Sequence, residues 1–187
     1  MDAFSEKLTS YFLRKDWIEV DQVPWCKYMV KHRALDVISL LWLIPVGCLV
    51  SPWYVSIAFV LSYRFLRSRT GGYHAKTPHG CLFASTVTQL AGGFFISHVP
   101  KTPLLLCTLV VSSILVVVLS PANNAEIHLT VEEIRALLPR IKLRVLFLWL
   151  MTFVFVFFMS EIAVSIISGV ATTALLLFLS KIGIGVN

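Results

Sequence analysis

Six long apolar runs decide what this chain can become: residues 35–50, 52–66, 81–99, 103–120, 145–160 and 162–180. In hydrocarbon no water is at hand to pair a backbone N–H or C=O, so each run must satisfy its own backbone as a helix. With 57% hydrophobic and 14% charged residues and a mean hydropathy of +0.82, the composition excludes an ordinary soluble domain. The expectation is an all-α integral membrane protein of about six transmembrane helices, preceded by an amphipathic N-terminal helical region. The first two runs are short beside the roughly 20 helical residues that cross about 30 Å of hydrocarbon. Ser51-Pro52 joins them, which allows a tight hairpin or a partly re-entrant pair. The join near Glu161 is equally tight, so five spans are the alternative to six.

Residues 1–33 are not expected to span. Phe4, Leu8, Tyr11, Phe12 and Ile18 recur near helical spacing, while Lys7, Arg14 and Lys15 bring positive charge. That pattern suits a helix lying in the headgroup plane of an anionic inner leaflet; a soluble tail is the plainer alternative. Pro24 starts a second helical run whose polar part ends at Lys31-His32-Arg33. The amphipathic surface region is therefore placed at 1–33 and the polytopic domain at 34–187. No basic segment leads into an apolar run and cleavage site at the N-terminus, so no secretory signal is expected.

With six spans, all but Lys101 of the 16 Lys and Arg residues fall on one face. Positive residues stay cytoplasmic, so both termini and the polar stretch at 64–81 are expected on the inner side of a multi-pass cell membrane protein. The 121–144 loop shares that side. In it, Thr130-Val131-Glu132-Glu133 has capping-box spacing, predicting a short helix from Val131 to about Leu138, before Pro139.

Reactive side chains concentrate in the polar stretch at 64–81. His74 and Cys81 are base and nucleophile if they touch. Along one continuous helix they would lie about 10 Å apart, too far for proton transfer over roughly 3 Å. Pro78 disfavours the helical conformation at Thr77 and Gly80 adds a flexible point, so the chain can fold His74 back over Cys81. Thr77-Pro78 reads as N-cap and first position of a helix, placing Cys81 in or just past its first turn. There, unpaired amides and the helix dipole favour a thiolate. His79 is the rival base. The plainer reading makes His74 an interfacial polar residue and Cys81 a small buried one.

Ser85, Thr88 and Gln89 share a helical face with Cys81. One of them orients the imidazole or stabilises an oxyanion, or all serve as interhelical hydrogen bonds. Arg64, Arg67 and Arg69 either hold lipid phosphates or clamp the carboxylates of an acidic peptide. Gly71-Gly72 lets the backbone turn or approach a substrate strand. No spaced ligand cluster completes a zinc site around His74, His79 and Cys81, so neither metal nor cofactor is expected, and no nucleic-acid partner. The four cysteines form no disulfide framework, and Cys48 and Cys107 are expected as packing residues. Phe153, Phe155, Phe157 and Phe158 are expected to face lipid or pack between helices, and Gly169, Ala171 and Ala174 to permit close helix approach.

The run from Arg67 to Cys81 has Arg67 seven residues before His74, Gly72 two before it, the pair His74-Ala75, and Cys81 seven after it. It resembles the signature of the accessory gene regulator B (AgrB) family, whose six-segment plan also suits Pro121-Ala122 after the fourth run. The resemblance implies a membrane cysteine endopeptidase that processes an AgrD-like quorum-sensing propeptide, acting as a homodimer. Cys81 would be the nucleophile, His74 rather than His79 the base, and Arg67 a substrate contact. A thiolactone or lactone ring in the product is likewise implied by the family alone. The rival from another class is a non-enzymatic exporter or docking protein for a signalling peptide; a lipid-modifying transferase is less favoured, because no phosphate-handling motif accompanies the stretch.

Overall fold

A helix forms over each of the six apolar runs, and one more precedes them. The computed structural model describes residues 2–71, 78–99, 103–122 and 130–183, the side chains of Asp2, His32, Pro78 and His79 excepted. Its helices are α1 (Asp2–Arg14), α2 (Val23–Gly47), α3 (Trp53–Thr70), α4 (Pro78–His98), α5 (Leu104–Leu119), α6 (Val131–Phe158) and α7 (Ser160–Lys181), with one 3-10 turn at Val20–Gln22. Among the described residues there is no strand. The chain is an all-α membrane protein. Three helical segments are long and apolar enough to cross a bilayer, Gly80–His98, Val131–Phe158 and Ser160–Lys181, and Leu104–Leu119 is a shorter apolar helix.

The chain divides into two compact units, Met1–Trp42 and Leu43–Asn187, the division falling inside α2. In the first unit Lys27 Nζ donates to the Glu6 carboxylate, tying α1 to α2. Tyr11, Phe12 and Trp17 gather at the end of α1, their ring centroids 5.6 to 6.2 Å apart. Asp16, at φ 53°, closes the turn that brings Trp17 back, a conformation that aspartate tolerates better than most residues. Phe4, Tyr11, Trp17 and Trp25 are exposed, whereas Ser5 and Thr9 are the buried positions of α1.

In the second unit α7 is the centre. It is the most enclosed helix, with Ala163 to Val170, Thr173, Ala174, Leu177 and Ser180 all buried. Small residues make this possible, since they let neighbouring backbones approach. Two of its hydroxyls bond one turn back: Ser165 Oγ donates to the Glu161 carbonyl (2.7 Å) and Thr173 Oγ1 to that of Gly169 (2.9 Å). Leu66, Leu109, Val116, Ile141, Val145 and Leu148 from α3, α5 and α6 pack with Ile166, Ile167, Val170, Ala174 and Leu177 of α7 into one apolar cluster. The expected close approach at Gly169 is found: a Cβ there would lie 2.1 Å from Ser62 Oγ and 3.0 Å from the Tyr63 backbone nitrogen. Phe153, Phe157 and Phe158 point outward, while Phe155 packs against the cluster.

The helical run from Pro24 and the first apolar run are one continuous helix, α2. Other expectations need correction. The capping box at Thr130 is present, Glu133 N donating to Thr130 Oγ1 (3.3 Å) and Thr130 N to Glu133 Oε2 (2.8 Å). Yet the helix does not stop before Pro139; it continues into the fifth apolar run. A proline removes one bond to the carbonyl four residues back, here that of Arg135. Both residues are exposed, so that carbonyl keeps access to polar surroundings. Helix α3 likewise runs on through all three arginines, and nothing interrupts it until Gly71. Leu66 and Thr70, both fully buried, anchor those last turns. Cys48, in the turn after α2, and Cys107, on α5, are exposed rather than packed between helices; lying in an apolar run did not turn them inward. Finally, α6 and α7 are two separate helices, parted by Met159 alone.

Candidate functional site

Gly71 ends α3 with φ 69° and ψ −144°, a region essentially reserved for glycine. A Cβ at Gly71 would also come within 3.2 Å of the Ala122 carbonyl oxygen. Here the chain leaving α5 is pinned to α3, Ala122 N donating to the Thr70 carbonyl at 2.9 Å. Replacing Gly71 by alanine therefore combines backbone strain with a tight contact. It is expected to lower stability by about 1–3 kcal/mol, read as a reduced thermal midpoint in detergent.

Helix α4 starts at Pro78, as the sequence predicts, and Cys81 falls at the end of its first turn. Thr77, the expected N-cap, lies outside the described residues. Cys81 is half-buried and lines a small, shallow recess. Three helices line it: α4 through Cys81, Ala84, Ser85 and Thr88, α3 through Tyr63 and Arg67, and α7 through Leu176. The α4 residues recur three, four and seven positions after Cys81, one face of a helix, and Tyr63 and Arg67 are one turn apart on α3. Arg67 Nη1 donates to the Tyr63 hydroxyl, its Cζ standing 5.6 Å from the Tyr63 ring centroid. Thr88 Oγ1 donates back to the Ala84 carbonyl (2.8 Å).

The structure thus brings together Cys81, Arg67, Ser85 and Thr88 of the residues expected from sequence. Arg64 and Arg69 do not line the recess; Arg64 is half-buried and Arg69 exposed. Gln89 is buried at 2% exposure, and its Nε2 donates to Ser56 Oγ (2.9 Å), which in turn donates to the Ile44 carbonyl (3.1 Å). It is placed as a tie between α4, α3 and α2, packed against Gly47, where a Cβ would lie 2.2 Å from its Nε2. His74 and Gly72 lie outside the described residues, as does the side chain of the rival base His79.

Two residues of the site region escape the sequence reading. Tyr63 lines the recess; its one sequence signal is the four-residue spacing to Arg67. Arg144 reaches from α6 to the end of α3, where its Nη1 donates to the Phe65 carbonyl and to Ser68 Oγ (2.5 Å). Its Cζ also stands 4.6 Å from the Phe65 ring centroid. This guanidinium holds the turns of α3 that carry Arg67. Arg144→Ala is expected to lower stability by about 1 kcal/mol, the modest loss for a hydrogen-bonded group whose partners, Phe65 and Ser68, are half-buried and exposed. Arg144→Lys recovers only part, because an ammonium cannot bond in a fork and stack at once; thermal unfolding of the three proteins checks this order.

No curated protein and no solved structure matches the chain. The family model described as "AgrB: Accessory gene regulator B" matches residues 5–179, reaching into both compact units. The chain therefore belongs to the accessory gene regulator B family, with a role in that quorum-sensing system.

Proposed function

We propose that this protein is a membrane-embedded cysteine endopeptidase that removes the C-terminal part of an AgrD-like propeptide. The observation that carries the reading is Cys81 in the first turn of α4, opening on a recess that also holds the Arg67 guanidinium. A thiol near the amide-rich start of a helix suits a nucleophile, and an arginine suits the carboxylates of an acidic peptide. His74 accepts the thiol proton and later gives it to the leaving amine. Sulfur replaces nitrogen on the scissile carbonyl, and the N-terminal part of the propeptide remains on Cys81 as a thioester. An internal cysteine or serine of the propeptide then takes the acyl group, closing a thiolactone or lactone. A thioester retains the reactivity this transfer needs.

The excess of Lys and Arg on one face supports cytoplasmic termini and a cytoplasmic site. Exposed Phe4, Tyr11 and Trp17 beside Lys7, Arg14 and Lys15 support an N-terminal region resting on an anionic leaflet. A homodimer is proposed on family grounds, and a monomeric mass in native mass spectrometry from mild detergent would refute it.

The function is tested by co-expressing the chain with the small propeptide encoded beside its gene and weighing the peptide intact. Loss of the C-terminal part with the wild-type chain, and not with Cys81→Ala, supports the peptidase. Equal processing by Cys81→Ala ends it. If neutralising Arg64, Arg67 and Arg69 abolishes peptide export while Cys81→Ala has no effect, the chain is instead an exporter or docking protein.

A further inference from the structure

We infer that the Tyr63 hydroxyl is the donor that stabilises the oxyanion formed when Cys81 attacks its substrate, an assignment that rests on the peptidase reading above. Tyr63 is 5% exposed and shares the recess with Cys81. A guanidinium can only donate, so in the bond with Arg67 the phenol oxygen is the acceptor. The phenol hydrogen is not spent on that bond, and the adjacent positive charge makes it a stronger donor. By contrast, the Thr88 hydroxyl, also in the recess, already donates to the Ala84 carbonyl.

Tyr63 is also held rigidly, which such a donor requires, because it acts by being in place before charge develops. Its ring stacks on Phe59, 6.5 Å between centroids and 13° between planes. Its backbone is gripped by α7 at Gly169, where a Cβ would stand only 3.0 Å from the Tyr63 nitrogen.

In the reaction, the Cys81 sulfur bonds to the scissile carbonyl carbon and the π pair moves onto oxygen. That oxygen accepts a hydrogen bond from Tyr63 without taking its proton. When the pair returns, the C–N bond breaks and the amine leaves with the proton held by His74. Tyr63 contributes a hydrogen bond that strengthens as the carbonyl becomes an oxyanion, so it acts on the rate of acylation more than on binding.

The test compares two reactions of the same thiol in the full-length protein in detergent. One is acyl-enzyme formation with a synthetic copy of the propeptide encoded beside the gene. The other is alkylation of Cys81 by iodoacetamide, followed by mass of the Cys81 peptide; displacement of iodide at a saturated carbon forms no oxyanion. Tyr63→Phe keeps the ring and its packing. It is expected to slow acylation about 10²–10³-fold, the usual loss for one oxyanion donor, while alkylation is unchanged. Unchanged acylation overturns the inference. So does a parallel fall in both reactions, which makes Tyr63 a structural residue, or a loss in Ser85→Ala with none in Tyr63→Phe, which moves the donor to Ser85. In all of these Cys81→Ala is inert; a Cys81→Ala protein that still cleaves overturns the peptidase reading itself.

Discussion

Cys81→Ala is expected to abolish propeptide cleavage, and His74→Ala to slow it by about 10²–10⁴-fold, the range a positioned general base contributes. His79→Ala is expected to retain activity near wild type. The asymmetry follows from the two roles. Without the sulfur there is no atom to carry the acyl group; without the imidazole water must take the thiol proton, so a residual rate survives. That residue should rise with pH in His74→Ala as hydroxide takes over the task of removing the thiol proton. All three variants are compared by time courses of propeptide mass at matched amounts of membrane-inserted protein. A His79→Ala protein that is dead while His74→Ala is active would exchange the two histidines in the mechanism.

Gly169→Ala is expected to be strongly destabilising. The new Cβ would sit 2.1 Å from Ser62 Oγ, 3.1 Å from Ser62 Cβ and 3.0 Å from Tyr63 N. The hydroxyl can rotate away, although it then leaves its bond to the Phe59 carbonyl (2.9 Å). The backbone nitrogen cannot, so α3 and α7 must separate. Overpacking of this kind costs about 1–3 kcal/mol. Because Tyr63 and Arg67 ride on α3 while Cys81 rides on α4, the shift should also lower activity. Ser62→Ala added to Gly169→Ala removes the worst contact but leaves the Cβ and backbone ones, so it should restore part of the thermal midpoint. Coupling between the two positions is the signature of direct contact. A Gly169→Ala protein with wild-type midpoint and rate would show that the helices have room to spare.

Features of the fold that depend on neighbouring residues were legible in the sequence. The capping box at Thr130 and Glu133 and the helix start at Pro78 are set within a turn or two of chain. Gly169 was legible too, because a glycine among small residues in an apolar helix has few other uses. Features set by how helices cross were not. Pro139 and the three arginines looked like places for helices to end, yet α6 and α3 pass through them. The apolar runs mark what sits in hydrocarbon, whereas helices continue into polar surroundings wherever nothing stops them. Cys48 and Cys107 show the same limit, since an apolar run does not disclose which face is turned inward.

The site divides along the same line. Cys81, Arg67 and Ser85 meet at one recess because α4 presents a regular face and α3 delivers Arg67 beside it. Gln89 shares that face in projection but is drawn off by Ser56 of the adjoining helix. Tyr63 lines the recess from α3, opposite the Cys81 face of α4, and the Arg144 guanidinium reaches from α6 to α3. Arg144 has no local pattern that would reveal it, and Tyr63 has only its four-residue spacing to Arg67.

The most direct measurement is the intact mass of the protein itself during turnover, quenched in acid and followed by mapping of its cysteine peptides. The account predicts an adduct equal to the N-terminal part of the propeptide, borne by the Cys81 peptide, released by neutral hydroxylamine and absent from Cys81→Ala. An adduct on Cys26, Cys48 or Cys107, or the same C-terminal fragment released by Cys81→Ala, would contradict it.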